Sequence, residues 1–269
     1  MSNLLVTLIQ SDLVWQDPQA NLLKLEQQIK SIEGRAEVVV LPEMFSTGFS
    51  MQPEQLAETM DGPSIEWMKR VAAEKRIILT GSLMIKENNQ FYNRLIWMLP
   101  NGQYGYYNKR HLFGFAGEDQ HYAAGEKRLV ATVKGWRILL LICYDLRFPV
   151  WSRQTPAMDV KEGTGAAEYD AIIYVANWPE RRNHAWKTLL QARAIENQCY
   201  VIGVNRIGDD GNGISHSGDS MVVDPLGEVL FQKSKEACTH THELQSAHLD
   251  RIRMQLPFLK DSDGFELKK

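Results

Sequence analysis

The amino-acid sequence predicts an α/β fold built as one large domain over residues 1–269. Short apolar runs of strand length alternate with amphipathic segments of helical period, the pattern of buried strands packed beneath helices. Further along the chain this alternation gives way to strands joined by tight turns, so we expect antiparallel strands at the sheet edges. No internal repeat or linker divides the 269 residues, and only a polar tail from about residue 261 lies outside the pattern.

Turn and capping residues mark the individual elements. Asp17-Pro18 begins an amphipathic helix, because aspartate suits the N-cap and proline suits the first turn, and Pro63 begins a second helix. Pro100-Asn101-Gly102 predicts a hairpin, as do Lys134-Gly135 and the turn at 224–227. We expect strands at residues 4–9, 37–41, 76–83, 90–99, 103–108, 129–133, 136–142, 169–176, 198–204, 220–223 and 228–232, helices at 18–32, 63–74 and 182–197, and a last amphipathic segment at 244–254.

Composition and charge exclude several classes of protein. A formal net charge of −3 gives no reason to expect nucleic acid or an anionic membrane surface as a partner. The three cysteines are an odd number and widely spaced, which does not suit a disulfide framework and favours a reducing compartment. The N-terminus lacks the basic flank of a signal peptide, and no apolar run reaches the roughly 18 to 20 residues of a membrane span. We therefore expect a cytoplasmic protein without a membrane partner.

The sequence contains no motif that predicts a metal ion or a cofactor. No Cys-x-x-Cys pair occurs, and His240 with His242 lies in a polar strand-end region rather than in a zinc-binding pattern. The acidic turn at 209–213 resembles the start of a calcium loop, but the twelfth position is Ser220 instead of an acid. We expect neither a bound metal nor a cofactor.

Three chemically complementary residues follow three different predicted strands. Glu43, Lys109 and Cys143 each lie at or just beyond the carboxyl end of a strand, where side chains from separate strands of an α/β sheet converge. A thiolate is a strong nucleophile, a carboxylate can take its proton, and an ammonium can stabilise an oxyanion. The sequence thus predicts one site with a nucleophile, a base and a cation.

Cys143 is the centre of this interpretation. It ends a run of five aliphatic residues, 138–142, and precedes Asp145, which suits the opening of a turn or helix. A small buried hydrophobic side chain is the alternative for Cys143, as it is for the mid-strand Cys199. A cysteine–histidine pair with His111 or His121 is also possible, although neither histidine has a partner that its spacing singles out.

Three segments of the chain resemble the signature segments of the nitrilase, or carbon–nitrogen hydrolase, superfamily. They are Leu41-Pro42-Glu43, the segment from Tyr107 to Phe113 (YNKRHLF) and the segment from Ile142 to Pro149 (ICYDLRFP), and the likeness extends from Val6 to about Phe258. The resemblance implies an αββα sandwich, in which paired subunits commonly form a homodimer.

The same resemblance implies a role for each site residue. Glu43 would be the general base, Lys109 the cation at the oxyanion and Cys143 the nucleophile. Glu118 matches the family's second glutamate, which positions Lys109 and the substrate. The amide N–H of Tyr144 would complete the oxyanion hole.

Within this superfamily the chain is similar to the bacterial omega-amidases. The similarity lies in the segments 116–125 and 175–179, and it implies hydrolysis of the terminal amide of 2-oxoglutaramate or 2-oxosuccinamate without a cofactor. The glycine-rich segment 154–168, predicted as a surface loop, is longer than in that group. A nitrilase or an N-carbamoyl amidase would share the three residues, and a catalytically silent binding protein on the same fold is a further alternative.

A carboxylated substrate needs a cation that lies apart from the scissile amide. Arginine suits this role because its planar guanidinium binds a carboxylate through two parallel hydrogen bonds. Arg147 is the nearest candidate to Cys143 in sequence, with Arg181 and Arg182 as alternatives, although Arg147 could instead pair with Asp145 and orient the Cys143 turn. The substrate-binding residues that we expect are Tyr144, Arg147, Trp178, Phe49 and His111.

Overall fold

The computed structural model describes residues 1–154 and 167–266, which form two mixed β-sheets with helices on their outer faces. The strands are β1 (Leu4–Gln10), β2 (Val38–Val40), β3 (Ile78–Glu87), β4 (Gln90–Met98), β5 (Tyr104–Asn108), β6 (Leu129–Val133), β7 (Trp136–Ile142), β8 (Ala171–Ala176), β9 (Tyr200–Asn205), β10 (Ile207–Asp209), β11 (Ser215–Val223), β12 (Val229–Ser234) and β13 (Cys238–Leu244). The helices are α1 (Pro18–Lys30), α2 (Pro53–Leu56), α3 (Pro63–Lys75), α4 (Glu118–His121), α5 (Pro149–Ser152), α6 (Asn183–Asn197) and α7 (Ser246–Gln255), and 3₁₀ turns lie at Gly114–Ala116, Cys143–Arg147, Glu180–Arg182 and Phe258–Asp261.

Each sheet contains three parallel strands with antiparallel strands on both sides. The first sheet has the order β13-β1-β2-β3-β4-β5, and β1, β2 and β3 are parallel to one another. The second has the order β10-β11-β9-β8-β7-β6, with β12 also paired to β11, and its parallel strands are β7, β8 and β9. The carboxyl ends of parallel strands meet at one edge of a sheet, which is where ligands bind in α/β proteins.

The largest part of the hydrophobic core lies between the two sheets. Side chains of β1, β2 and β4 pack there against those of β7, β8 and β9. Helices α1 and α3 cover the outer face of the first sheet, and α6 covers the outer face of the second. This arrangement is the four-layer αββα sandwich that the resemblance implies, and that prediction is confirmed.

Local chemistry explains where the first helices begin and end. Asp17 caps α1 by accepting a hydrogen bond from the Ala20 N–H at 3.0 Å, and Pro18 occupies the first helical position. Helix α3 begins with Pro63 and ends at Lys75, and its C-cap, Arg76, adopts the left-handed conformation common at helix C-termini. Both helix starts agree with the sequence-based prediction.

Strand β13 was not predicted, because its sequence CTHTHEL is too polar to read as a core strand. It nevertheless pairs antiparallel with β1 along its whole length, from Leu4 opposite Leu244 to Gln10 opposite Cys238. The predicted amphipathic segment at 244–254 begins as the end of this strand and continues as α7. Cys199 precedes β9 rather than lying within it, and it is fully buried.

Two further expectations concern the predicted loop at 154–168 and membrane-spanning helices. Most of the surface loop predicted at 154–168 lies outside the described residues. Among the residues that are described, no helix has both the length and the apolar character needed to cross a membrane.

Gly203 tests the packing of α6 on the second sheet. A Cβ at this position would lie 2.6 Å from Leu190 Cδ1 and 2.8 Å from Trp186 Cζ2, so in Gly203→Ala these buried side chains of α6 have to shift. We expect the free energy of unfolding, measured by urea denaturation, to fall by about 1–3 kcal/mol. Gly264→Ala, where no atom lies within 4 Å of the added Cβ, is the control and should change it by less than about 0.5 kcal/mol. Equal stability of the two variants would contradict this packing.

Candidate active site

Glu43, Lys109 and Cys143 converge at one end of the sandwich, as the sequence predicts. Lys109 follows β5 and Glu43 lies three residues after β2, both in the first sheet, whereas Cys143 follows β7 in the second. The Lys109 Nζ lies 2.8 Å from Glu43 Oε1, and both side chains are fully removed from solvent. The charges of Glu43 and Lys109 both act on the Cys143 thiol. The site therefore forms where the two sheets face each other.

Two asparagines hold the Glu43 carboxylate in place. Asn93, on β4, donates from Nδ2 to Glu43 Oε1 at 2.8 Å. Asn177, immediately after β8, donates its backbone N–H to Glu43 Oε2 at 2.8 Å and its Nδ2 to the Glu43 carbonyl oxygen at 2.6 Å. Sequence reasoning assigned a role to neither residue, although Asn177 lies in the segment 175–179 that resembles the omega-amidases.

Glu118 forms the other side of the Lys109 site. Its two carboxylate oxygens lie 3.0 and 2.8 Å from Lys109 Nζ, and it accepts hydrogen bonds from Asn93 Nδ2 at 3.2 Å and from the Phe113 N–H at 2.6 Å. Burial opposes the charge on Lys109, but the carboxylates of Glu118 and Glu43 outweigh it and raise the pKa of the ammonium. The lysine therefore stays charged at neutral pH. Burial raises the pKa of Glu118, against the opposing effect of Lys109.

Cys143 lies in a strained turn directly after β7. Its φ angle is +42°, in the left-handed region that non-glycine residues rarely adopt, and it begins the 3₁₀ turn Cys143–Arg147. Burial and the negative charge of Glu43 raise the pKa of the thiol well above its ordinary value, although Lys109 acts in the opposite direction. The resting side chain is thus a neutral thiol beside a carboxylate.

A cavity of about 220 Å³ opens above Cys143, and its wall is mostly apolar and aromatic with several cations. The lining residues are Phe49, Lys109, Phe113, Phe115, Ala116, Cys143, Tyr144, Arg147, Asn177, Trp178, Pro179, Arg181, Arg182, Asp210, Ile214 and His216. An enclosed apolar wall with a few convergent polar groups is typical of a small-molecule site.

Three arginines give this cavity its positive character. The guanidinium of Arg147 lies 4.9 Å from the ring centre of Trp178, and that of Arg182 lies 5.3 Å from the ring centre of Phe113. In the described part of the chain, neither these two arginines nor Arg181 forms an ion pair. The alternative in which Arg147 pairs with Asp145 therefore does not hold in this structure.

The structure places four of the five predicted substrate-binding residues in the cavity wall. Phe49, Tyr144, Arg147 and Trp178 line it, and the ring centre of Phe49 lies 5.1 Å from Lys109 Nζ. His111 is the one of the five that does not line this cavity.

His111 lies beneath the Cys143 turn. Its Nδ1 is 2.8 Å from Asp145 Oδ1, and its ring stacks on Phe148 with centroids 3.8 Å apart. His121 does not line the cavity either, so neither histidine of the cysteine–histidine alternative reaches the site.

The hairpin from β10 to β11 contributes residues that sequence reasoning did not assign. Asp210, Ile214 and His216 reach the cavity from this hairpin. Burial and the charge of Arg206 lower the pKa of His216 to about 4, so the imidazole is neutral at physiological pH. The acidic turn at 209–213 was visible in the sequence, but nothing there linked it to Cys143. Within the described residues, no group of three or more His, Cys, Asp or Glu side chains is arranged to hold a metal ion.

The fold and this buried acid–lysine–thiol cluster define a class of protein. The sequence profile of the carbon–nitrogen hydrolase family matches residues 5–254. The chain belongs to this family.

Two relatives and two solved structures are similar to this chain over nearly its whole length. The chain is 42% identical over 268 residues to the omega-amidase YafV of Escherichia coli K12, covering 99% of this chain and 100% of that protein. It is 32% identical to the 2-oxoglutaramate amidase of Bacillus subtilis, over 95% of this chain and 96% of that one. Among solved structures, a carbon–nitrogen hydrolase superfamily protein of Xanthomonas campestris with an arsenic adduct in its active site superimposes with a TM-score of 0.95 at 42% identity, covering 100% of both chains. Nit3 of Saccharomyces cerevisiae, in branch 10 of the nitrilase superfamily, has a TM-score of 0.82 at 25% identity and covers 95% of both chains.

The electrostatics of the site predict how Glu43→Gln changes the Cys143 thiol. The charge of Glu43 raises the thiol pKa and that of Lys109 lowers it, so the neutral glutamine should lower the pKa and increase the thiolate fraction at a given pH. The measurement is the ultraviolet absorbance of the thiolate as a function of pH, with Cys143→Ala as the blank. A thiol pKa that stays unchanged or rises would contradict the arrangement. Turnover should nevertheless fall by at least about a hundredfold, because the proton acceptor is lost.

Proposed function

We propose that this protein is an omega-amidase that hydrolyses the terminal amide of a small dicarboxylic acid monoamide, 2-oxoglutaramate or 2-oxosuccinamate, to the 2-oxo acid and ammonia. The observation that carries the proposal is the cavity above Cys143, whose wall holds the Cys143 thiol, the Lys109 ammonium that pairs with Glu43, and three arginines without ion pairs in the described chain. The omega-amidase and 2-oxoglutaramate amidase relatives over nearly the full chain support the same substrate class.

The first half of the reaction forms a thioester. Glu43 takes the thiol proton as the Cys143 sulfur attacks the amide carbon, and the carbonyl oxygen becomes an oxyanion. The Lys109 ammonium and the backbone N–H of Tyr144 stabilise this charge. When the tetrahedral intermediate collapses, Glu43 returns the proton to the leaving nitrogen, the carbon–nitrogen bond breaks and ammonia leaves.

The second half releases the acid. Glu43 takes a proton from water, the resulting hydroxide attacks the thioester carbon, and the same cation and N–H stabilise the second oxyanion. Collapse breaks the carbon–sulfur bond, and the proton returns to the Cys143 sulfur. Because Glu43 gives back each proton that it takes, the enzyme ends each cycle in its starting state.

Glu118 and Asn93 support this chemistry through Lys109. An ammonium has three N–H donors, and the carboxylates of Glu43 and Glu118 orient it from two sides. Asn93 bridges those carboxylates from Nδ2, at 2.8 and 3.2 Å. We assign Glu118 the role of holding the lysine so that a remaining N–H points to the oxyanion.

The arginines support an anionic substrate. Arg147 and Arg182 are held over aromatic rings and make no ion pair in the described chain, so a substrate carboxylate can bind them without displacing an internal partner. A cavity of about 220 Å³ is smaller than the roughly 300–1,000 Å³ of pockets for drug-sized ligands, so it suits a small substrate rather than a long chain. A small amide with a carboxylate at its far end meets both requirements.

The proposal extends to the assembly and the location of the enzyme. We propose a homodimer, as the resemblance implies, and a cytoplasmic location. The three free thiols, Cys143, Cys199 and Cys238, are in keeping with a reducing compartment.

A substrate panel tests the proposed function directly. Ammonia release should be fastest, as kcat/KM, with 2-oxoglutaramate or 2-oxosuccinamate, and at least about a hundredfold slower with glutamine, asparagine, a simple nitrile and an N-carbamoyl amino acid. Cys143→Ala should release no ammonia above the blank, because the nucleophile is lost. A preference for the nitrile or the N-carbamoyl compound would replace the omega-amidase assignment with one of those activities. An active Cys143→Ala variant would refute the thioester mechanism.

Arg147 tests the recognition of the carboxylate. Arg147→Lys keeps the charge but loses the planar fork, so KM for 2-oxoglutaramate should rise by roughly tenfold or more, while KM for an uncharged amide of similar size changes little. Arg110→Lys is the matched control, because this guanidinium also lies over a tryptophan, Trp151, at 5.5 Å but does not line the cavity. If the activity of Arg147→Lys falls equally toward both amides, Arg147 does not bind the carboxylate. Arg181 and Arg182 then become the candidates for that role.

A further inference from the structure

A buried carboxylate other than those of Glu43 and Glu118 lies directly beneath the Cys143 turn and takes no part in the chemistry described above. Asp145 is fully buried, and its two oxygens accept four hydrogen bonds. Oδ1 accepts from the His111 backbone N–H at 3.0 Å and lies 2.8 Å from His111 Nδ1. Oδ2 accepts from the Tyr107 hydroxyl at 2.7 Å and from the Ile142 N–H at 3.0 Å.

These donors come from the two segments that carry the reacting groups. Ile142 immediately precedes Cys143, whereas Tyr107 and His111 lie two residues on either side of Lys109. The carboxylate therefore connects the end of β7 in one sheet to the end of β5 in the other.

Tyr107 is itself held in a fixed orientation. Its hydroxyl oxygen accepts hydrogen bonds from the Arg110 N–H and from Trp151 Nε1, both at 3.0 Å. Burial and the charge of Asp145 raise the pKa of the phenol well above its ordinary value, so the hydroxyl stays protonated. Its single proton is then available only to Asp145.

We propose that Asp145 is a positioning residue, whose carboxylate holds Cys143 in its left-handed conformation and sets the sulfur against Lys109 and Glu43. A left-handed backbone at a non-glycine residue persists only where surrounding interactions fix it, and Asp145 binds the N–H of the residue just before Cys143. The inference rests on the proposed function, because it takes Cys143 as the nucleophile.

The test replaces one carboxylate oxygen of Asp145 by an NH₂ group. All four groups around Asp145 donate or can donate, so in Asp145→Asn the new NH₂ must face an N–H or O–H, and the turn has to shift. A displacement of about 1 Å at a nucleophile lowers turnover by about a hundredfold. We expect kcat to fall by that factor and KM to change less than about threefold, because most of the cavity wall, including Phe49, Phe113 and Trp178, lies outside the turn Cys143–Arg147.

Asp224 provides a matched control. It is also buried, its Oδ1 accepts from the Leu226 and Glu228 N–H groups at 2.9 Å each, and its Oδ2 lies 2.9 Å from His248 Nε2. It does not line the cavity. Asp224→Asn should lower the melting temperature about as much as Asp145→Asn and leave kcat within about twofold of the wild type.

Tyr107→Phe is the second variant, in case Asp145→Asn does not fold. It removes one of the four hydrogen bonds to the carboxylate, and kcat should fall by about tenfold with KM nearly constant. All variants are compared as full-length protein at a temperature where circular dichroism shows them folded.

The results separate this inference from the proposed function. If kcat of the folded Asp145→Asn variant, or of Tyr107→Phe where the first does not fold, equals that of Asp224→Asn, Asp145 is only structural and the inference is wrong. A rise in KM with kcat unchanged would also refute it. If instead Cys143→Ala retains activity, the proposed function itself fails. An inactive Cys143→Ala together with the expected fall in kcat supports both.

Discussion

The rest of the site depends on the buried ammonium of Lys109 between the carboxylates of Glu43 and Glu118. Removing an ion from water costs several kcal/mol, and here three ions are buried together. Their mutual attraction offsets that cost only because donors from Asn93, Asn177 and Phe113 occupy the remaining carboxylate positions. The loss of Lys109 would leave two carboxylates buried together without a cation. The same charge held without water is what stabilises an oxyanion effectively.

This cluster can assemble only because the αββα sandwich places the two sheets face to face. Glu43 and Lys109 belong to the first sheet, whereas Cys143 and Asn177 follow strands of the second. The hydrogen bond from the Asn177 N–H to Glu43 Oε2 crosses directly from one sheet to the other. Neither sheet alone brings the Cys143 thiol and the Glu43 carboxylate together. The packing of the two apolar faces therefore sets the catalytic distances as well as the stability of the fold.

Positive and negative groups are distributed unevenly around the cavity. At Lys109 a single cation faces two carboxylates, those of Glu43 and Glu118. Arg147, Arg181 and Arg182 also line the cavity, with Asp210 as an acid in the same wall. Aromatic rings hold two of those guanidiniums without neutralising them, so their positive field remains available to a ligand.

The sequence by itself, through its likeness to a known family, predicted the αββα class, the strands that carry the site, and the grouping of Glu43, Lys109, Glu118 and Cys143 in one place. This was possible because buried strands and their ends leave a local signal, and because the three motifs together are specific. It did not reveal β13, whose polar residues hide a strand that only pairing with β1 stabilises. Nor did it reveal Asn93, Asn177 or His216, which approach the site from segments far from Cys143 in the chain. Only the tertiary structure decided that Asp145 binds Tyr107 and His111 rather than Arg147, because which donor reaches a buried carboxylate depends on how the two sheets pack.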